Sequence, residues 1–135
     1  MDSKKIKQLV DLATAAQVNA HAPYSGFNVG AAILSKTTHT YSGCNVENVA
    51  YPLGQCAEAT AIGNMVCNGD KAIAAIVITS PTEDLCFPCG GCRQKIAEFS
   101  DESTQVIMTS KDGKMQTLSM AELLPYAFSN NTPTS

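Results

Sequence analysis

The sequence predicts an α/β fold, a mixed sheet sandwiched between helices. Helix-patterned and strand-patterned stretches alternate along most of the chain, which is the signature of that class. A strand hairpin precedes the alternation, so the sheet is expected to be mixed rather than purely parallel. The continuous apolar run over 72–79 has the length and composition of a strand buried on both faces.

The elements follow in order. Ile6, Leu9, Val10, Ala13 and Ala16 recur at helical spacing and predict an amphipathic helix over 3–20. His21-Ala22-Pro23-Tyr24-Ser25-Gly26 ends it in a loop. Residues 27–34 are apolar on both parities, as a buried strand would be, and 40–45 form its hairpin partner through a turn at 36–39. Ala61, Ile62, Met65 and Val66 mark a second helix that begins near Cys56 and stops at Asn68-Gly69. After the central strand come a loop over 81–88 and a helix over 89–99. A short strand at 105–109 turns through Lys111-Asp112-Gly113-Lys114, and 115–118 pairs back across it. Ser119 caps a last short helix that runs through Leu124 and ends at Pro125. No repeat, low-complexity block or linker interrupts this order, so 1–135 reads as a single domain. The polar residues at 129–135 read as a frayed tail.

Composition narrows the function. A chain of 135 residues, 44% hydrophobic and 16% charged, has the make-up of a globular domain able to bury a core. The net charge is -3, the basic residues are scattered, and Arg93 is the single arginine. Proteins that grip nucleic-acid polymers carry a basic stripe, so small molecules are the expected partners. The N-terminus lacks an apolar signal core, and no apolar run is long enough to span a bilayer. A cytoplasmic location follows as the expectation. In that reducing compartment, six cysteines read as metal ligands or buried thiols rather than a disulfide framework.

Pro88-Cys89-Gly90-Gly91-Cys92 is the strongest local signal. Two cysteines two residues apart can share one ion, and the glycines between them let the backbone turn tightly. Alone, the pair is also compatible with a redox couple, half of a structural zinc site or two buried thiols. Upstream stands Cys56-Ala57-Glu58, and together the two segments resemble the zinc-deaminase pattern of ligand-x-Glu followed by Pro-Cys-x-x-Cys. Three protein ligands leave zinc a fourth position for water, as in catalytic sites. Each ligand group also falls at a predicted helix start, where the dipole and free N–H groups favour thiolate. A structural site would need a fourth ligand from Cys44, Cys67, Cys86, His21 or His39, and none sits in a second paired motif. A thioredoxin-like role would leave Cys56 and Glu58 without a purpose.

Beyond these residues, the chain resembles the small homotetrameric cytidine deaminases nearly end to end. The resemblance runs through Ala22-Pro23-Tyr24-Ser25-Gly26-Phe27-Asn28-Val29-Gly30-Ala31-Ala32, Gly43-Cys44-Asn45-Val46-Glu47-Asn48 and Ala50-Tyr51-Pro52. It continues through both cysteine segments, with Arg93-Gln94 after the second, and ends at Glu122-Leu123-Leu124-Pro125. It implies a three-layer fold with a five-stranded mixed sheet, and one zinc ion per subunit held by Cys56, Cys89 and Cys92. The implied reaction is hydrolytic deamination of cytidine and deoxycytidine to uridine and deoxyuridine, with release of ammonia, in pyrimidine salvage. Glu58 would carry protons between water, ring nitrogen and departing amine.

The same resemblance implies the substrate contacts. Phe27 packs against the pyrimidine, Asn45 and Glu47 hold the ribose hydroxyls, and the Ala57 N–H meets the ring carbonyl. The Phe87 carbonyl accepts from the leaving amine. Ala50 and Tyr51 reach a neighbouring subunit's nucleoside, and Phe128 closes the site across an interface in a homotetramer. The plainer readings are a core residue for Phe27, turn formers for Asn45 and Glu47, and a hydrophobic plug for Phe128.

Two positions depart from the family. Ala59 stands where many relatives carry an arginine that balances the thiolates, so helix dipoles, nearby N–H groups and Arg93 are expected to compensate. Tyr126 stands where glycine is frequent. Cys44, Cys67 and Cys86 read as free thiols in or near the core. The competing functions are deamination of another cytosine-containing small molecule and a structural zinc module without turnover. A carboxylate beside the sugar favours a free nucleoside, because it repels an added phosphate.

Overall fold

A computed structural model describes residues 1–129; beyond Ser129, the tail expected over 129–135 lies outside them. Helix α1 spans Ser3–Val18 and is started by Asp2, whose carboxylate accepts the Lys5 amide at 2.8 Å. It stops two residues before the expected Ala20, capped by Asn19. Strands β1 (Gly30–Ser35) and β2 (Thr40–Cys44) form the expected hairpin. Helix α2 covers Ala57–Cys67, β3 Ile73–Thr79 and α3 Gly90–Glu98. Strands β4 (Gln105–Thr109) and β5 (Met115–Ser119) pair antiparallel, and the four-residue α4 (Met120–Leu123) follows with a Ser119–Glu122 capping box.

The five strands make one sheet in the order β2-β1-β3-β4-β5. Only β3 and β4 run parallel, and α3 is the crossover that a parallel pair requires. Alternation sends successive side chains to opposite faces. Ala31, Ile33, Ile76, Ile78, Val106 and Met108 pack with Ala61 and Met65 of α2 and Ile96 of α3. Ala32, Ala75, Val77 and Ile107 pack with Leu9 and Ala13 of α1. Both faces of the middle strands are therefore covered, which explains the unbroken apolar run of β3. Among the described residues, no helix is long and apolar enough to cross a membrane.

Two glycines set how closely the layers approach. A Cβ on Gly30 would strike the Ala13 carbonyl of α1, and one on Gly43 would strike the backbone of α2 at Ala61 and Ala57. Each lacks a side chain where a helix lies directly on the strand.

The sequence reading starts the first strand at Phe27, whereas β1 begins at Gly30. Residues 27–29 are held by one backbone bond, from the Asn45 N–H to the Val29 carbonyl at 3.3 Å, and by the Asn45 side chain. The Asn45 amide donates to the Phe27 carbonyl at 2.8 Å and accepts from the Val29 N–H at 2.9 Å. Between β2 and α2 the structure adds a short 3-10 turn, Tyr51–Leu53, with Pro52 in its first positions. Cys67 is a correction too. It lies exposed at the last residue of α2, where the helix ends, while Cys44 and Cys86 are partly buried.

Candidate active site

Cys56 is the N-cap of α2, and Cys89 is the N-cap of α3. The first turn of a helix presents free N–H groups and positive partial charge, so both sulfurs sit at the positive end of a helix. The Cys92 N–H donates to the Cys89 sulfur at 3.4 Å. Glu58, in the first turn of α2, is 4% exposed, and burial pushes its carboxyl above the usual carboxylate range. Lys95 of α3 partly opposes that shift. The sulfurs of Cys56 and Cys92 and a Glu58 oxygen lie within 4.8 Å of one another.

The sequence reading expects three separate thiolates. The structure instead joins Cys56 and Cys92 as a disulfide and leaves Cys89 free. The two Cα atoms are 7.3 Å apart, wider than the ~4.4–6.8 Å that disulfides ordinarily span. Thiolates that share one zinc, each about 2.3 Å from it, tolerate this wider backbone separation. Sulfurs converging between two helix N-termini, with a third at the neighbouring cap, form a soft donor set that fits zinc.

These groups floor a cleft of about 360 Å³. Phe27, Asn45, Glu47, Tyr51, Ala57 and Phe87 also line it, so the structure gathers most of the residues that the sequence singles out. Phe27 remains 38% exposed beside the cleft. Asn45 spends one donor and one acceptor on loop 27–29, which leaves the other amide hydrogen and lone pair for a ligand. Glu47 accepts the Tyr24 and Ser25 N–H groups at 2.9 and 3.1 Å and also the Ser25 hydroxyl. That hydroxyl is the main cause holding its carboxyl below the ordinary value, so the wall is anionic.

Three expected residues stand apart. Ala50 and Phe128 are exposed and do not line this cleft, and Phe128 is 85% accessible. Arg93 turns away from the sulfurs: its Nε donates to the Pro88 carbonyl and one Nη to the Leu123 carbonyl, each at 2.8 Å. Cys86 and Gln55 line the cleft without having been singled out for it. Gln55 had a signal, adjoining Cys56; Cys86 had only its place in the loop before Pro88. Burial is the first cause that pushes the Cys86 thiol up to about 11, followed by the charges of Glu58 and Cys89.

Residues 3–109 match the family model of the cytidine and deoxycytidylate deaminase zinc-binding region. The chain belongs to that family. Curated relatives agree: a cytidine deaminase of Sporosarcina psychrophila is 41% identical over 92% of this chain and 91% of its own. A cytidine deaminase of Halalkalibacterium halodurans is 38% identical over 90% of this chain and 92% of its own. The crystal structure of a Burkholderia pseudomallei cytidine deaminase superposes with a TM-score of 0.87 at 38% identity, covering 95% of this chain and all of that one. Cys56, Glu58, Cys89 and Cys92 all fall inside the span of the family model, and Phe128 lies beyond it.

Proposed function

We propose that this chain hydrolyses cytidine and deoxycytidine to uridine and deoxyuridine, releasing ammonia, with one zinc ion held by Cys56, Cys89 and Cys92. One observation carries the reading. Two helix N-termini bring the sulfurs of Cys56 and Cys92 within 4.8 Å of the buried Glu58 carboxylate, in a cleft that Cys89, an aromatic wall and an anionic rim also line.

Bound zinc supplies Lewis acidity that lets a water attack near neutral pH. The chain supplies positioning and proton transfer. Glu58 takes a proton from the attacking water and delivers it to the ring nitrogen, then carries the proton of the newly added hydroxyl to the amine, which leaves as ammonia as the ring carbonyl forms. The Ala57 N–H, in the first turn of α2, donates to the ring carbonyl. The Phe87 carbonyl accepts from the amine, which orients the leaving group. Phe27 covers the pyrimidine and excludes water, while Asn45 and Glu47 hold the ribose hydroxyls. The Glu47 charge disfavours a phosphate on the sugar, so a nucleoside monophosphate is turned over far more slowly than cytidine.

The test follows absorbance loss on mixing the zinc-loaded protein with cytidine. Glu58→Gln keeps the metal and lowers turnover by about 10²–10⁴-fold, the usual worth of a general acid–base group. Zinc that stays bound while cytidine, deoxycytidine and other cytosine compounds persist would falsify the enzyme reading. Consumption of another cytosine compound alone would change the substrate and keep the chemistry.

The same reading places the protein in pyrimidine salvage, in the cytoplasm, as a homotetramer with sites at its interfaces. Tyr51 and Phe128, 75% and 85% exposed on this chain, would reach a neighbour's nucleoside together with Ala50. Sedimentation of the purified protein measures the assembly, and a monomer would remove that role from all three.

A further inference from the structure

We infer that Gln17 is a positioning residue that holds loop 27–29, and with it Phe27, against the cleft. The inference rests on the reading of Phe27 as the pyrimidine wall.

Gln17 lies in the last turn of α1, on the face of the sheet opposite α2 and α3. Its Nε2 donates to the Asn28 carbonyl at 2.9 Å. Its Oε1 accepts from the hydroxyl of Thr79, which is 3.1 Å away, 4% exposed and at the end of β3. That hydroxyl also accepts the Gly30 N–H at 3.2 Å, so one hydrogen-bonded chain runs from the start of β1 through Thr79 to Gln17 and back to the loop. The absence of a Cβ at Gly30 makes the reach possible: a Cβ there would come within 2.9 Å of the Gln17 Cβ and closer still to the Ala13 carbonyl.

Beyond the Asn45 N–H bond to the Val29 carbonyl at 3.3 Å the loop has no ladder to a neighbouring strand, and side chains clamp it from both sides. Asn45 holds the peptides of Phe27 and Val29 from the cleft side. Gln17 holds Asn28 from the α1 side. Behind Asn28 lies a hollow of about 500 Å³ that Gln17, Asn28 and Thr79 help to line. Packing therefore does not stop the Asn28 peptide from falling back, and the Gln17 donor does. A loop that falls back carries Phe27 away from the ring it covers, which weakens binding more than the chemical step.

Two substitutions separate the halves of the amide. Gln17→Glu keeps an acceptor for Thr79 and removes the donor to Asn28; Gln17→Lys keeps a donor and removes the acceptor. The expected result for Gln17→Glu is a KM for cytidine raised about fivefold, the worth of one neutral hydrogen bond, with kcat within about twofold of wild type. Amide hydrogen exchange over 27–30 quickens in the same variant, while exchange at Leu9 and Ala13 stays as in wild type. Gln17→Lys restores both readouts toward wild type. If Gln17→Glu does not fold, Gln17→Met removes both donor and acceptor without adding charge and is expected to raise KM and quicken exchange over 27–30, with Gln17→Lys still reporting on the acceptor alone. An unchanged KM, unchanged exchange over 27–30, or equal defects in the Glu and Lys variants overturns the inference. Phe27→Ala reports separately on the underlying reading, because a wild-type KM there removes Phe27 from the substrate while the exchange result still tests the clamp.

Discussion

At Arg93 the chemistry of a single side chain divides into charge and geometry. Its guanidinium ties the carbonyl just before Cys89 to the end of α4, a planar fork spanning two acceptors. The guanidinium is thus anchored on the segment before Cys89 and not on the sulfurs themselves. Arg93→Ala is expected to cost about 2 kcal/mol, the range for hydrogen bonds from a charged donor, and to speed zinc release to a chelator. Arg93→Lys keeps the charge but cannot span both carbonyls, so it recovers less than half of the lost stability. Thermal melts and chelator kinetics on both variants decide; a Lys variant equal to wild type would show that charge alone matters. The cysteines proposed as ligands and Glu58 were legible in the sequence because their spacing at a helix start is a local property. Gln17, Cys86 and Lys95 were not, because their partners come from elsewhere in the fold. Thr79, for instance, lies 62 residues from Gln17.

At the level of elements, the close seating of α2 on β2 fixes where Cys56 and Glu58 stand. Gly43 is the contact that allows it, and the atoms facing its missing Cβ are backbone, which cannot rotate away. Gly43→Ala should therefore lift the N-terminus of α2, at a cost of about 1–3 kcal/mol for forced overpacking, and weaken zinc retention. Gly63, in the middle of the same helix, has open space at its Cβ position. Gly63→Ala should stabilise by about 0.5–1 kcal/mol and leave the metal site alone. Urea unfolding of the two alanine variants checks the opposite signs; equal signs would mean that seating on β2 is not what positions the helix. All eight long elements were legible from periodicity and punctuation. Their ends were less so: at Phe27 an apolar strand pattern continues into residues whose partners are side-chain amides, and no periodicity distinguishes the two.

Across the whole molecule, carboxylates at or near the surface fasten its connections, and those of Glu47, Asp70 and Asp101 reach partners more than twenty residues away. Asp70, just past α2, is held below its usual pKa first by the Tyr41 hydroxyl of β2 and then by Thr37. Asp101, after α3, is held down first by Lys36 at the β1 turn and then by Ser103. Glu47 and Asp112 are lowered by the hydroxyls of Ser25 and Ser110. A carboxyl with a depressed folded pKa gives stability that is fully present above its unfolded value, near 4, and lost as pH falls through the folded value. Tyr41 runs the other way. Asp70 raises it, so its contribution is present below its unfolded value of about 10 and lost as pH climbs through the folded one. Buried Glu58 opposes the acid trend, because its raised pKa makes the charged form a cost that protonation relieves. The four lowered carboxyls predict a urea midpoint that falls on acidification below about pH 4, while Glu58 acts above that window and lifts the midpoint as pH falls toward 4. Each surface pair is solvent-screened, so each single step is small. Asp70→Asn and Asp101→Asn together should flatten the acid limb and lower the plateau. A double variant with the wild-type acid slope would mean that these two connections are not what acid releases.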